Sequence, residues 1–424
     1  MKHLRKFNSL EDFERNQGAI PRPWVAYVEG HGVKYGSKYT PSPQRNVPLY
    51  VEAIEDLTVK FAYAQGSIQY SLDNSEWIDL PGSTATPTIA AGSKVYFRAS
   101  GLTPSSSYGI GTFTISAAAN IGGNAMSMIV GEDYESQDTI SVAYALYRLF
   151  YNATTIVDAS RLALPATTLA SYAYSMMFYS CSKLEYPPEL PATTLGTFCY
   201  YSMFLGCAAL RCPPELPATT LTNKCYRMMF QNCSSLEYAP QLPATTIAEE
   251  CYYAMFMGCA QIAAAPALPA TEVFSACYQS MFHGTAIKYP PALPAISLIN
   301  KTYAYHGMFK NCANLVEAPE LPATTLSQAC YREMFYGCTK LVNAPELPAK
   351  SLATDCYRSM FQGCTKLAYI KAMFTTSPSS SYLSSWVSGV PSEGTFVKNA
   401  AATWADTFGT SAIPTGWTVE TAEA

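Results

Sequence analysis

The chain has 424 residues and a formal net charge of −4, and only 14% of its residues are charged, against about 25% in ordinary soluble domains. With 49% hydrophobic residues it is too apolar to be disordered, and its acidic balance argues against nucleic-acid binding, which needs a basic face. No apolar run reaches the roughly 18 residues of a membrane-spanning helix. We therefore expect neither nucleic acid nor a membrane as a partner.

Residues 1–45 are predicted to form a small module that docks onto another protein, because they contain too little apolar surface to fold firmly alone. Ser9–Asp12 is typical of a helix start, with a hydroxyl to cap the first turn and acids that suit the helix dipole. Trp24–Val28 and Val33–Tyr35 then flank a Gly-His-Gly turn in a hairpin pattern. The candidate anchoring side chains are Phe7, Leu10, Phe13, Trp24 and Tyr27.

Residues 46–130 are predicted to form an all-β, sandwich-like domain. Short β-branched and aromatic segments recur there between turn residues, at the spacing of sandwich strands. Residues 131–163 form a bridge, whose apolar part, Tyr144–Tyr151, is expected to cap the N-terminal end of the next domain. The predicted strand segments are Val59–Tyr63, Ser67–Ser71, Lys94–Arg98 and Gly111–Ile115.

From residue 164 to 372 the chain repeats a unit marked by Leu-Pro-Ala, at intervals of 26, 26, 26, 26, 25, 28 and 26 residues. A fixed period in the twenties indicates a solenoid, in which each unit buries its apolar side against its neighbours. Residues 373–424 lack the repeat and are predicted to cap its last unit. The leucines that mark the units are Leu164, Leu190, Leu216, Leu242, Leu268, Leu293, Leu321 and Leu347.

Each unit combines a helix-like pattern with a short extended segment. Leu221, Cys225, Tyr226, Met229 and Phe230 stand at i, i+4, i+5, i+8 and i+9, which predicts one apolar helix face. A Gly, Asn or Ser two positions after each Phe is expected to be left-handed and to end the helix. A proline in the extended segment limits any strand to very few residues. The predicted class is α+β: a short N-terminal anchor, an all-β sandwich-like domain, then an α/β leucine-rich-repeat solenoid of eight units with a C-terminal cap.

Thirteen of the fourteen cysteines fall in two columns of the repeat, and Cys212 is the exception. Acidic residues occupy the place where a signal peptide needs apolar ones, so we expect synthesis in a reducing cytoplasm. Paired cysteines within a unit are eight residues apart, about 12 Å along a helix, which is too far for a disulfide. Bonds between neighbouring units stay open as an alternative. The sequence contains no Cys-x-x-Cys pair, so we predict buried thiols, no metal and no cofactor.

The recurring Tyr, Met and Phe residues are predicted to be core rather than a sugar-binding surface, because every unit carries them at helical spacing. Solenoids bind through positions that vary on a fixed frame. Variable residues on the predicted helix surface, Asn223/Lys224 and Glu249/Glu250, are one candidate set. The four histidines have no repeated catalytic partner, so we predict no enzyme activity. The favoured ligand-facing set lies in the extended segments: Glu185, Tyr186, Arg211, Glu237, Tyr238, Lys288, Tyr289, Glu317 and Asn343.

The unit Gly-Cys-x-x-Leu-x-x-Ala-Pro-x-Leu-Pro-Ala-Thr-Thr-Leu-x-x-x-Cys-Tyr-x-x-Met-Phe resembles the BspA-like leucine-rich repeats of gut Bacteroidetes. The best matches are Gly258–Leu268 and Gly337–Phe361. The likeness extends over roughly residues 46–424, because the preceding β region and the C-terminal end also look like parts of such proteins. The resemblance implies a surface or adhesion protein without an enzymatic role.

The opening of the chain departs from that family, whose surface proteins carry a signal or lipoprotein peptide. Lys6–Phe13 and Pro23–Glu29 are instead similar to the start of structural proteins of Bacteroides bacteriophages, including crAss-like phages. This similarity implies a virion protein that is assembled in the host cytoplasm. Residues 1–45 would then attach it to other virion proteins.

Three functions stay open on the sequence. The first is a non-enzymatic phage virion accessory protein, a head or tail fibre or decoration, whose solenoid adheres to a host surface or to mucus glycans or proteins. The second is a bacterial BspA-like cell-surface adhesin, and the third is a purely structural capsid or tail component. A homo-oligomer is expected for the first, with a trimer suggested by analogy with phage fibres.

Overall fold

The computed structural model of the chain contains two compact units. The β-domain unit comprises Lys38–Pro240, and the C-terminal unit combines Met1–Ser37 with Gln241–Ala424. Strands and turns dominate the described residues and the helices are short, so the fold is α+β or mainly β with a low helix content. The structure describes the backbone of residues 4–7, 24–28 and 32–36, and residues 43–63, 66–82 and 84–422.

A three-stranded sheet is formed by Leu4–Phe7 (β1), Trp24–Val28 (β2) and Gly32–Gly36 (β3). Strand β1 pairs with β2 in parallel, and β2 pairs with β3 in antiparallel fashion. The predicted hairpin is therefore confirmed. The predicted helix start at Ser9–Asp12 lies outside the described residues.

The core of the β-domain unit lies between two sheets. Its strands are β4 (Leu49–Ala53), β5 (Val59–Ala62), β6 (Ser67–Ser71), β7 (Ile78–Asp79), β8 (Lys94–Ser100), β9 (Thr112–Ile115), β10 (Ala119–Asn124), β11 (Thr139–Ile140), β12 (Ile156–Ala163) and β13 (Thr168–Leu169). One sheet has the order β12-β10-β4-β8-β6-β7, the other pairs β5 with β9, and β11 pairs separately with β13. The two main sheets pack through Phe97 and Phe113, whose ring centroids lie 5.0 Å apart. All four segments predicted as strands are strands, because their alternating apolar residues face this core.

Helices in the described residues are four to six residues long. They are α1 (Ser127–Val130), a 3-10 helix (Gly131–Ser136) and α2 (Ser380–Leu383). In the C-terminal unit, β14 (Tyr369–Ala372), β15 (Thr395–Lys398) and β16 (Thr418–Thr421) form a parallel sheet.

The helix predicted in each repeat is absent, and a run of successive β-turns, here called a turn layer, takes its place. In the layer 172–180, alternate N–H groups donate to the carbonyl three residues back, as Met177 does to Tyr174 at 3.2 Å. The intervening N–H groups donate to the next layer, as Phe178 does to Met203 at 2.9 Å. Turns and the ladder between layers thus satisfy every backbone donor of this segment without a helix.

Positive φ angles at every fourth residue enforce the turn layer. In the layer 172–180 they occur at Tyr172 (59°), Met176 (54°) and Ser180 (56°). The predicted left-handed position after each Phe is therefore confirmed, but the α/β unit is wrong because left-handed residues recur within the segment and break a helix. The layers among the described residues are 144–152, 172–180, 198–206 and 224–232 in the β-domain unit, and 250–258, 276–284, 303–311, 329–337, 355–363 and 384–389 in the C-terminal unit.

The layers extend beyond the sequence repeat. Segment 144–152 joins the next layer through Phe150 N–H, which donates to Met177 at 2.9 Å, and its Phe150 ring stacks on Phe113 at 5.4 Å. In the C-terminal unit, the buried ring of Trp386 lies 5.9 Å from Phe361, where the earlier layers carry phenylalanine. Residues without the Leu-Pro-Ala mark thus continue the same packing.

The extended segments between layers pair through isolated parallel bridges. Asp158 bridges Tyr186 in the β-domain unit, and Asn343 bridges Tyr369 in the C-terminal unit. The recurring prolines lack the N–H that a longer ladder needs. The prediction of very short strands is therefore confirmed.

Candidate functional site

The extended segments bring three of the predicted ligand-facing residues together in the β-domain unit. The Arg211 N–H donates to the Glu185 carbonyl at 3.2 Å, and the Glu237 N–H donates to the Arg211 carbonyl at 3.1 Å. The Arg211 guanidinium lies 3.9 Å from the carboxylate of Glu185 and 3.8 Å from that of Glu237. Exposed ion pairs such as these contribute at most about 1 kcal/mol. They can therefore open toward a ligand at little cost.

Two predicted tyrosines, Tyr186 and Tyr238, lie half-buried beside this charged ladder. Tyr186 is the bridge partner of Asp158 in β12, so both side chains project to the same side of the ladder. Burial, with Cys212 and Glu237 nearby, raises the pKa of Tyr238. Its phenol therefore remains protonated at neutral pH and can donate a hydrogen bond.

In the C-terminal unit the remaining predicted residues do not form one cluster. Tyr289 and Asn343 each bridge a neighbouring repeat, and the Lys288 ammonium lies 5.3 Å from the centre of the Tyr289 ring. Lys288 and Glu317 are exposed, and neither forms an ion pair with another described residue. Their charges remain available to an ionic partner.

The recurring Tyr, Met and Phe side chains are core, as predicted. Tyr200, Met203 and Phe204 are at most 1% exposed, and the equivalent residues of the other repeats are similarly buried. Within each compact unit the Phe rings of neighbouring layers stack, as Phe178 does on Phe204 at 5.6 Å. These faces cannot stack on a sugar, because neighbouring protein rings cover them.

The cysteines are buried thiols, as predicted. All fourteen lie in the described residues, none forms a disulfide bond, and only Cys212 is partly exposed. In one column six thiols donate to a Phe carbonyl of the preceding layer, as Cys207 Sγ does to Phe178 at 3.0 Å. Burial raises the pKa of Cys312 to about 11 and that of Cys277 to about 12. Such protonated thiols are poor nucleophiles.

Outward side chains of the layers 144–152, 172–180 and 198–206 form an aromatic face that the sequence prediction missed. Tyr144, Tyr172 and Phe198 stack in one column, with centroids 4.5 and 4.6 Å apart. Tyr151 and Tyr179 stack in another column at 4.9 Å. The columns present ring edges and hydroxyl groups. These aromatic residues recur with the four-residue period of the turns, on the side opposite the buried pairs. That period is the sequence signal that could have identified the aromatic face.

A charged network spans two layers of the C-terminal unit around Glu333. Lys310 Nζ donates to its carboxylate at 2.6 Å and Arg332 Nε at 3.2 Å, while His306 Nε2 lies 3.9 Å away. His306 beside the carboxylate and the Lys310 ammonium hold the pKa of Glu333 well below its usual range, against the effect of burial. His283 is half-buried, and its Nε2 lies 3.3 Å from the Asn311 amide nitrogen of the next layer.

The alternative variable set lies on the turn layers, since the helix predicted to carry it is absent. Lys224 and Glu250 occupy left-handed turn positions, with φ of 59° and 51°. The Lys224 ammonium lies 5.3 Å from the centre of the Phe198 ring, so it borders the aromatic face. Asn223 and Glu249 are exposed immediately before these positions.

The predicted anchoring residues are divided among the N-terminal strands and segments outside the description. Phe7 lies in β1, and Trp24 and Tyr27 lie in β2. Leu10 and Phe13 fall outside the described residues. The structure therefore places three of these residues in adjacent strands of one sheet.

Among the described residues, no group of three or more His, Cys, Asp or Glu side chains is placed to hold a metal ion. In the same part of the chain, no helix has the length and apolar content needed to cross a membrane. Comparison with family models, curated proteins and solved structures found no match to this chain. Its function is therefore inferred from its own residues.

Proposed function

We propose that this chain is a non-enzymatic virion accessory protein of a phage, a head or tail fibre or decoration, which displays its repeats for adhesion to a host surface or to mucus. The observation that carries this proposal is that the buried positions of the layers are constant, whereas their outward positions vary. Within each compact unit the layers are joined by the same kind of backbone ladder and carry the same buried columns, whereas equivalent outward positions carry residues as different as Tyr172 and Lys224. Repeat proteins build binding faces in this way, because surface residues can change without disturbing the packing.

An eight-unit solenoid with a C-terminal cap is part of this proposal. The same contact between layers in each compact unit supports it: Phe204 N–H donates to Met229 at 2.9 Å, and Phe335 N–H donates to Met360 at 3.0 Å. The likeness to leucine-rich repeats concerns the period and the buried columns only, since turn layers replace the helices.

Residues 1–45 are the proposed attachment to other virion proteins. Their similarity to the start of phage structural proteins and the sheet β1–β3 support this role. A homo-oligomer, a trimer by analogy with phage fibres, would present several copies of the repeats and raise adhesion through multivalency. The proposal includes no nucleic acid, no cofactor and no insertion into a membrane.

Virions that carry either the full chain or a chain without residues 1–45 test the attachment. We expect the full chain in purified particles and only traces of the truncated chain, with equal amounts of both in the infected cell. Incorporation of the truncated chain at the normal level would contradict the attachment role.

Adhesion is tested with the full chain on beads, offered to Bacteroides cells and to immobilised mucin. We expect retention on at least one surface and a clear loss of it in Arg211→Ser, which removes the centre of the charged ladder. Lys183→Ser removes one exposed cation of the same unit outside the ladder and should retain binding. If the full chain binds neither surface, a structural capsid or tail component is the better account.

A further inference from the structure

A polar cavity of about 260 Å³ lies in the β-domain unit, where β4, β10 and β12 meet. It is smaller than the roughly 300–1,000 Å³ of sites for drug-sized ligands, so it suits a small molecule. Its lining contains two carboxylates, one amide and one guanidinium, together with two apolar residues that are at most 2% exposed. These residues are Glu52, Asp158, Asn120, Arg161, Ala53 and Ile121.

A β-bulge brings these polar groups to one place. Asn120 of β10 pairs with Asp158 of β12, and Gly122 pairs with Arg161. Between these two pairs β12 advances by three residues and β10 by two. An extra residue of this kind bends a strand and redirects its side chains. The bulge thus allows Asp158 and Arg161 to line the cavity together with Asn120.

The polar groups of the cavity have unused hydrogen-bonding capacity. The Asn120 amide makes no side-chain hydrogen bond with a described residue, although it is only half-exposed. One oxygen of Asp158 accepts the Ser160 N–H at 2.7 Å, which leaves the other for a ligand. Arg161 lies 3.7 Å from Glu52, too far for a good hydrogen bond, so both can turn to another partner.

We propose that this cavity binds a single neutral sugar ring, an inference that rests on glycan adhesion as part of the proposed function. Amide, carboxylate and guanidinium groups are planar and offer paired donors or acceptors that match two adjacent sugar hydroxyls. The formal charge of Glu52, Asp158 and Arg161 together is negative, which disfavours an anionic sugar.

The cavity also borders the predicted ligand-facing ladder. Asp158 is the bridge partner of Tyr186, and Glu185 N–H donates to Val157 at 2.8 Å, so the ladder begins at the cavity wall. A glycan whose terminal ring occupies the cavity would extend along Tyr186 and Arg211. The proposal therefore assigns the cavity to the terminal sugar and the ladder to the sugars that follow it.

Saturation-transfer NMR on the full chain tests the cavity with D-galactose, D-glucose, D-mannose, L-fucose and N-acetyl-D-glucosamine, and with D-glucuronate as the anionic comparator. We expect at least one neutral sugar to bind and glucuronate not to bind. Asn120→Ala and Asp158→Asn should each weaken that binding about ten-fold, the effect of one lost hydrogen bond. Glu76→Gln removes an exposed carboxylate of the same unit outside both the cavity and the ladder, and it should bind the free sugar like the wild type.

Binding of none of the neutral sugars would overturn the proposal, as would preferred binding of glucuronate or unchanged affinity in both cavity variants. Equal thermal midpoints of the variants and the wild type ensure that a lost signal reports the cavity rather than unfolding. Bead adhesion separates the two proposals. Adhesion without sugar binding overturns the cavity site alone, whereas sugar binding without adhesion overturns the proposed function alone.

Discussion

At the scale of single residues, the buried thiols act as hydrogen-bond donors between layers. Cys181 and Cys233 each place Sγ 3.1 Å from a Phe carbonyl of the preceding layer. Where the column carries Thr285 instead of cysteine, the hydroxyl donates to the Phe282 carbonyl of its own layer at 2.8 Å. The column therefore accepts a small donor with a different partner, which indicates a packing role rather than redox chemistry.

The native chain is expected to expose one reactive thiol, that of Cys212. The other thirteen cysteines are buried, and burial raises the pKa of thiols such as Cys364 to about 12, so their thiolate is scarce. A water-soluble disulfide reagent at neutral pH should titrate about one thiol per folded chain and all fourteen in denaturant. Cys212→Ser should abolish the native signal. Rapid labelling of several thiols in the folded chain would contradict the buried columns.

The Glu333 network predicts a stability contribution that depends on pH. Hydrogen bonds to a charged group contribute about 1.5–3 kcal/mol, and the partial exposure of this carboxylate lowers that, so we expect Glu333→Gln to cost about 1–2 kcal/mol at pH 7. Because the folded pKa lies below the unfolded value near 4.5, the contribution is complete above that pH and declines as the pH falls further. Chemical unfolding at several pH values should show that the difference in unfolding free energy between the wild type and Glu333→Gln becomes smaller below about pH 4.5.

Asp355→Asn is the matched control for that experiment. Asp355 is half-buried like Glu333 but lies 3.6 Å from Arg358, beyond good hydrogen-bond distance, so its loss should cost at most about 0.5 kcal/mol. Equal losses in both variants, or a loss for Glu333→Gln that does not change with pH, would contradict the network.

At the scale of the element, the turn layer requires left-handed residues within the segment, and Ser359 is one of them, with φ of 51°. The equivalent position in another layer is Gly307, with φ of 60°. Ser359→Gly should therefore leave stability unchanged or raise it slightly. Ser359→Val should cost about 1–2 kcal/mol, because a β-branched residue fits this conformation poorly. Urea unfolding of the full chain measures both changes.

Gln362→Gly is the control in the same layer, at a residue that lacks a positive φ. Glycine should cost about 0.5–1 kcal/mol there through the entropy of the unfolded chain. A helix would make both glycine variants destabilising. The turn layer is therefore supported if the free energy of unfolding is unchanged or higher in Ser359→Gly and lower in Gln362→Gly. Equal losses of unfolding free energy in both variants contradict it.

The buried columns could be predicted because the chain repeats Leu-Pro-Ala and Tyr-x-x-Met-Phe. The helix was predicted wrongly because apolar pairs such as Cys225-Tyr226 and Met229-Phe230 are four residues apart, close to the helical period over so short a segment. Glycine would have marked the turns, but Lys224 and Met228 occupy left-handed positions there. Elsewhere in the β-domain unit, hydrogen bonds to the next layer hold such residues in place, as when the Met176 N–H donates to the Tyr201 carbonyl at 2.8 Å, and a local pattern does not reveal them.

The charged ladder was also predictable, since Glu185, Arg211 and Glu237 recur at the repeat interval and each interval places them side by side. The polar cavity was not. Asn120 and Asp158 meet there because β10 pairs with β12. No spacing in the sequence predicts that pairing or its bulge. Long-range strand pairing therefore marks the limit of the sequence prediction.

At the scale of the whole molecule, the low charge and the many cysteines both follow from the repeated layers. Within each compact unit, contacts between neighbouring layers satisfy the backbone and bury the Tyr, Met, Phe and Cys columns. A frame of this kind needs few ion pairs, and its outward positions are free to vary. The proposed adhesion depends on this frame holding the ladder and the cavity in fixed positions.

Far-ultraviolet circular dichroism of the full chain tests the turn-layer frame most directly. We predict a spectrum of strands and turns without the paired minima of α-helix, because the α-helices among the described residues have only four residues each. A leucine-rich-repeat arrangement with a helix in every repeat would give strong paired minima. That result would contradict the turn layers and the positions of the outward residues on which the proposed adhesion depends.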